Sequence, residues 1–254
     1  MLILALDTTS QWGGAGIFRD TECLATIPHQ GPPDYSVSLF QDVDDLLERA
    51  GVSLSDIDLL AAANGPGSFT GIRVGLAAAQ GWADALKKPW RGVSILEAMT
   101  EAAETRFALP VLDARRGEFY AGWFECALPG RETAEKPSAP RAAFRFVLSG
   151  EGALLKPERV APFLEAHLES GATEQVQVAQ AESCTVIARE DDVAASALQR
   201  IIPPSFKWKT ITSFLVPSIA RLAFLAALEG RPALPQEVTA CYIRRTDAEL
   251  HLNG

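Results

Sequence analysis

The stretch Asn64-Gly65-Pro66-Gly67-Ser68-Phe69-Thr70-Gly71-Ile72-Arg73-Val74-Gly75-Leu76-Ala77-Ala78-Ala79-Gln80-Gly81 decides the fold of this chain. A largely apolar run from Asp58 to Ala63 leads into a Gly-Pro-Gly turn, which reads as a strand followed by a tight loop. Ser68 and Thr70 then offer side-chain oxygens to the unpaired amides of a helix start. The pattern predicts strand, loop and helix in succession. Gly71, Gly75 and Ala79 fall on one face of that helix, where each glycine costs about 1 kcal/mol relative to alanine. A neighbour must approach that face closely.

As chemistry, the loop is open to two readings, a structural turn and a phosphate-binding loop. A Walker-type loop needs lysine followed by Ser or Thr, and here Gly71 is followed by Ile72 and Arg73. The spacing around Ser68 also lacks the G-x-S-x-G pattern that exposes a nucleophilic serine.

Working outward, Met1 to Leu6, Gly14 to Arg19 and Glu22 to His29 read as strands, with Asp7 to Gly13 joining the first pair. Pro32 and Pro33 stop the third. Asp34 or Ser36 caps a helix running to Ala50, with Leu39, Phe40, Val43, Leu46 and Leu47 on one stripe and Gly51 at its end. The strand to Ala63, the helix from Thr70 to about Leu86 and a strand over Trp90 to Val93 complete a β-β-β-α-β-α-β unit. That order is the repeating unit of the actin, sugar-kinase and Hsp70-like fold. The fold class expected is α/β, with two lobes that each carry a mixed sheet and flanking helices. Residues 1–106 form the first lobe, 107–212 the second, and 213–254 a C-terminal helix and tail. In the second lobe, Pro110 to Leu112 and Glu118 to Cys126 read as strands joined across Asp113 to Gly117. Pro129 to Pro140 reads as a surface loop, and Ser213 to Glu229 as an amphipathic helix ended by Gly230.

With 254 residues, 48% of them hydrophobic, the chain can bury a substantial core. Its net charge of −9 repels a phosphate backbone and opposes direct nucleic-acid binding. Cys23, Cys126, Cys184 and Cys241 form no CxxC pair, so reduced, mostly core thiols of a cytoplasmic protein are expected. No apolar segment approaches the ~20 residues that span a bilayer, and no membrane partner is expected. His29, His167 and His251 show no spacing that places two imidazoles on one helical face, so no metal site is expected. Arg115 and Arg116 in the second-lobe hairpin are open to two readings, a phosphate contact and, in preference, exposed basic turn residues that are solvated or paired with Glu118.

Asp7-Thr8-Thr9-Ser10 occupies the first hairpin, where enzymes of this fold bring backbone amides to phosphate. Thr8 stands where glycine would permit close approach. Asp7, Thr8 and Thr9 thus form a possible degenerate nucleotide site, with Asp7 either capping the hairpin or contacting magnesium. On the helix from Thr70, polar Arg73, Gln80 and Asp84 occupy a narrow sector, and the apolar arc is wider than one core face requires. The surplus points to a second packed surface, shared with the first helix and involving Tyr35, Leu39, Leu46, Arg73, Ala77 and Gln80.

Five stretches carry a family resemblance: Ile3-Leu4-Ala5-Leu6-Asp7-Thr8-Thr9, Gly65 to Arg73, Val93-Ser94-Ile95-Leu96-Glu97-Ala98, Asp113-Ala114-Arg115-Arg116-Gly117-Glu118-Phe119-Tyr120, and Tyr242-Ile243-Arg244. In this order they resemble the TsaB (YeaZ) family of tRNA threonylcarbamoyladenosine biosynthesis proteins. The resemblance implies a late helix packed on the first lobe, and pairing with the catalytic subunit TsaD through the first-lobe helices. It implies that the pair works with the ATPase TsaE in transferring threonylcarbamoyl to adenosine 37 of tRNA. This chain would be the non-catalytic, activating scaffold, with no catalytic residue or cofactor of its own. ATP and magnesium would be used through partner subunits, and tRNA met only indirectly. A homodimer in isolation, competing with the heterodimer, is also implied. Tyr35 stands where the family usually has histidine, and Gln80 where it often has lysine. The alternative is a stand-alone nucleotide-binding or peptidase-like enzyme of the same fold, using Asp7 and the Ser68 to Gly71 loop.

Overall fold

The computed structural model describes residues 1–29, 34–105, 107–127, 145–148, 152–169 and 184–230. Pro32 and Pro33, the Pro129 to Pro140 loop, Cys241, Tyr242 to Arg244 and His251 lie outside the described residues. The chain divides into two units. Of the described residues, one takes Met1–Ala98 and those from Ser213 onward, the other those within Met99–Thr212.

In the first unit, β1 (Leu2–Asp7), β2 (Gly14–Arg19) and β3 (Glu22–Pro28) form an antiparallel meander, followed by α1 (Tyr35–Ala50). A turn of 3-10 helix (Leu54–Asp56) leads to β4 (Leu59–Gly65), then α2 (Phe69–Leu86) and β5 (Trp90–Ser94). The sheet order is β3-β2-β1-β4-β5, with β1, β4 and β5 parallel. Leu4, Leu6, Ile17, Leu60 and Ala62 pack against Leu39, Val43, Leu46 and Leu47 of α1 and Ala78, Ala79 and Ala83 of α2. Gly51 ends α1 in the left-handed conformation (φ 66°), its amide reaching back to the last-turn carbonyls. At the start of α1, neither Asp34 nor Ser36 caps the backbone with its side chain. The Ser36 hydroxyl instead donates to the Asp34 carboxylate.

α3 (Ile95–Ala103) begins at the Ser94-Ile95-Leu96-Glu97 stretch. Ser94 Oγ accepts from Leu96 N at 3.2 Å, while Glu97 Oε2 accepts from Ser94 N at 3.3 Å. This reciprocal capping explains why serine and glutamate stand three apart there.

The second unit holds β6 (Phe107–Asp113), β7 (Phe119–Ala121), β8 (Phe124–Ala127), β9 (Arg145–Leu148), β10 (Ala153–Leu155), α4 (Pro157–Glu169), β11 (Cys184–Arg189), α5 (Val193–Gln199) and β12 (Lys207–Ile211). Its main path, β10-β7-β6-β11-β12, is antiparallel for the first two pairings and parallel for the last two. This repeats the first unit's order and strand directions. The single strand expected over Glu118 to Cys126 is instead two, broken at Gly122-Trp123. Trp123 is buried and stacked on Phe107 at 6.0 Å, and β8 swings across to pair with the start of β6. Two mixed sheets of the same topology, each flanked by helices, constitute the actin, sugar-kinase and Hsp70-like fold.

The last described helix, α6 (Val216–Leu228), packs on β1, β2, β4 and β5 of the first unit. With that face of the sheet covered as well, β1 and β4 are buried on both sides, which is why both read as continuous apolar runs. α6 itself buries Val216, Ile219, Ala220, Leu222, Ala223 and Phe224. Cys184 lies in the second core, where burial pushes its thiol up to about 12. Cys23 is exposed on β3. No helix among the described residues is long and apolar enough to cross a membrane.

Candidate functional site: a clasped turn and an outward helix pair

The neighbour demanded by the glycine face of α2 is the turn after β1. Asp7, Thr8 and Thr9 are all buried. Asp7 Oδ1 accepts from Thr9 N at 2.9 Å and from Thr9 Oγ1 at 2.7 Å, so the acid caps its own turn. Thr8 Oγ1 donates to the Gly71 carbonyl at 2.7 Å, and Ser68 N donates to the Thr9 carbonyl at 2.7 Å. A Cβ built at Gly71 would lie 1.9 Å from the Thr8 carbonyl oxygen, and one at Gly75 would lie 2.3 Å from Thr8 Oγ1. These are distances no side chain tolerates, which accounts for two glycines in a helix that otherwise favours alanine. Ser68 caps α2 as expected, its Oγ accepting from Gly71 N at 3.2 Å. Thr70 is exposed. Both threonine hydroxyls of the turn are thus bonded inside the protein, and the arrangement is a clasp between hairpin and helix.

Tyr35 closes the same turn from the other side. Its hydroxyl donates to the Ser10 carbonyl at 2.8 Å, and its ring lies 5.0 Å from that of His29, which pairs with Asp42 at 2.6 Å. Burial, reinforced by the nearby Asp7 carboxylate, holds the Tyr35 hydroxyl well above the usual phenol range. Tyr35, Leu39 and Leu46 are 5%, 1% and 0% exposed and face inward. Their placement on a partner-facing surface is therefore corrected. With Val43 they make the stripe that seats α1 on the sheet.

The outward side of α1 carries Val37, Phe40, Gln41, Asp44 and Glu48, all exposed. Phe40, expected on the buried stripe, is 55% exposed and leans edge-on against Trp82 of α2 at 5.4 Å. Val37 is 74% exposed. On α2, Arg73, Ala77 and Gln80 are exposed, together with Thr70, Gly81 and Asp84. The Arg73 guanidinium sits 3.7 Å over the Phe69 ring. The structure thus brings Arg73, Ala77 and Gln80 onto one exposed side of α2, while Val37 and Phe40 are exposed on α1 and the half-buried Trp82 meets Phe40 between the two helices.

In the second unit, Asp113 ends β6 as Asp7 ends β1, and Asp113 Oδ1 accepts from Arg115 N at 2.7 Å, repeating the same two-residue capping. Arg115 and Arg116 adopt left-handed φ values of 60° and 57° and are exposed. Asp192, which the sequence did not single out, accepts from Asp113 N at 2.8 Å and from Ala195 N at 3.0 Å, tying this turn to the start of α5. Burial raises the Asp192 carboxyl above the ordinary range, and the two amide donors work against that rise.

Residues 26–138, which include α1, α2 and the Asp113 turn, match the family model described as TsaD, tRNA N6-adenosine threonylcarbamoyltransferase. That segment contains a single histidine, His29. The TsaB protein of Escherichia coli K12, described as a tRNA threonylcarbamoyladenosine biosynthesis protein, is 38% identical over 130 residues, 49% of this chain and 54% of that protein. The Bacillus subtilis 168 protein of the same name is 34% identical over 129 residues, 49% of this chain and 56% of that one. The chain spans about half the length of the curated relatives it matches. Among solved structures, YeaZ from Pseudomonas aeruginosa superposes with a TM-score of 0.68 at 22% identity, covering 95% of this chain and 99% of that one. A second Pseudomonas aeruginosa structure, described as similar to peptidase YeaZ, gives 0.70 at 23% identity, covering 96% and 99%. Over about half its length the chain is a sequence relative of the TsaB proteins, and over nearly all of it the fold is that of YeaZ.

Proposed function

We propose that this chain is a non-catalytic, activating subunit in the transfer of threonylcarbamoyl to adenosine 37 of tRNA, held to a TsaD-type catalytic subunit by the outward sides of α1 and α2. The observation that carries this reading is the clasp between Thr8 and Gly71. A turn that would meet phosphate in an enzyme of this fold is here buried and bonded into α2, so the first unit serves better as a rigid platform than as a nucleotide site. The stand-alone enzyme would need Asp7 to reach a substrate, and Asp7 is fully buried. ATP and magnesium are then handled by TsaD and the ATPase TsaE, in the cytoplasm, and this chain holds no cofactor. The net charge of −9 leaves tRNA to the partner. In isolation the chain forms a homodimer through the same helices.

The outward helix faces have the character of a protein contact: large apolar side chains in the open, small residues beside them, and a rim of charge. The test is equilibrium binding of the cognate TsaD to the wild-type chain and to Ala77→Arg. A long cation at an exposed alanine leaves the fold intact but enters a close helix contact. Binding should weaken about ten-fold or more with an unchanged circular-dichroism melt. Unchanged affinity would move the interface elsewhere.

A further inference from the structure

The outward arcs of α1 and α2 are not neutral. By helical spacing, Val37, Gln41, Asp44 and Glu48 lie along one side of α1, with Phe40 beside them toward α2. Thr70, Arg73, Ala77, Gly81 and Asp84 line α2, and all of these are exposed. Gly81 faces open space. Asp34, at the start of α1, is exposed as well. Among the described residues, the positive charges near this surface are Arg73, drawn over Phe69, Lys87 just past the end of α2, and Arg49, which lies off the arc. Apolar side chains therefore sit within a rim in which carboxylates outnumber cations.

We infer that this face selects a partner whose apolar docking surface is bordered by Lys and Arg, and that the same rim opposes the pairing of two copies of this chain. The inference rests on the docking reading above and adds the chemistry of the partner. A two-fold pair is isologous, so each copy meets the other's identical surface, with Asp44, Glu48 and Asp84 on both sides. Such repulsion is screened as the Debye length falls from about 10 Å at 0.1 M salt to about 3 Å at 1 M. Attraction to a basic partner is screened by the same ions. The two associations must therefore respond to salt in opposite directions.

The experiment measures the self-association constant by sedimentation equilibrium and the TsaD affinity by calorimetry, at about 50 and about 500 mM NaCl. It compares the wild-type chain, Asp44→Lys/Glu48→Lys and Ala77→Arg. A few charge pairs at such distances predict changes of about three- to ten-fold. Salt should weaken TsaD binding and tighten self-association. The double charge reversal should weaken TsaD binding at low salt and reverse its salt dependence. A pair of copies seen only at high salt is the limiting form of the same result, and no pair at any salt would overturn the inference. Salt responses of the same sign, or constants indifferent to the charge reversal while Ala77→Arg still weakens binding, would overturn the inference alone. Indifference to Ala77→Arg would remove the docking reading beneath it.

Discussion

Gly75→Ala tests the clasp most sharply, because intrinsic propensity and packing make opposite predictions. In a helix interior alanine is favoured over glycine by about 1 kcal/mol. Here the added Cβ would stand 2.3 Å from Thr8 Oγ1, with Thr8 Cβ and Cγ2 at 3.5 and 3.6 Å. The hydroxyl must retreat by about 1 Å, which breaks its 2.7 Å bond to the Gly71 carbonyl in a site that is 1% exposed. Losing a buried hydrogen bond costs about 1–3 kcal/mol and overpacking a comparable amount. After the propensity gain, the net loss is about 3 kcal/mol, or roughly 6–12 °C in Tm for a protein of this size. The assay is thermal and urea unfolding of Gly75→Ala in the wild-type and Thr8→Ala backgrounds. With the hydroxyl gone, Cβ meets ordinary contacts, so in Thr8→Ala the same step should be neutral or stabilising by up to ~1 kcal/mol. An equal shift in both backgrounds, or a stabilised Gly75→Ala, would refute the reasoning.

Glu97 gives a pH-dependent prediction. Burial raises its carboxyl above the ordinary 4.5, with the Ser94 amide and nearby Arg91 opposing the rise. A carboxyl whose folded value lies above its unfolded one favours the fold when protonated, so the wild type loses stability as pH climbs through that window. Glu97→Gln carries no charge and keeps an acceptor for the Ser94 amide. It should gain stability relative to wild type as pH rises above the ordinary carboxylate range, and a Tm difference independent of pH would contradict this. Phe40→Ala removes a ring that is more than half exposed. It should shift Tm by no more than about 2 °C while weakening TsaD binding by about ten-fold, and the reverse pattern would make Phe40 a core residue.

The stretch from Asn64 to Gly81 announces both its elements and its crowded face, because glycines at helical spacing in an otherwise favourable helix signal close approach by a neighbour. What a single stretch cannot contain is the identity of that neighbour, since Thr8 lies 63 positions away from the Gly71 carbonyl it meets. The first helix is harder to read. Its apolar residues span more than one core stripe, and a wheel projection cannot tell the side that seats on a sheet from the flank that meets another helix. That ambiguity puts Tyr35, Leu39 and Leu46 outward and Phe40 inward, whereas Phe40 is apolar because it leans on Trp82. In the second unit the Asp113 turn is legible. Its tie to Asp192 is not, because that contact joins residues 79 apart and leaves no local pattern. The break at Gly122-Trp123 is hidden because both halves carry strand-like residues, and only the stacking of Trp123 on Phe107 shows why the chain turns there.

The most direct test of the central claim is reconstitution of the modification with purified TsaD, TsaE, tRNA, ATP and threonylcarbamoyl-adenylate, measuring modified adenosine with and without this chain. The account predicts turnover that depends on the chain, none from the chain alone, and a deficit with Ala77→Arg that is relieved at high protein concentration. Full turnover in its absence, or modification by the chain by itself, would contradict the account.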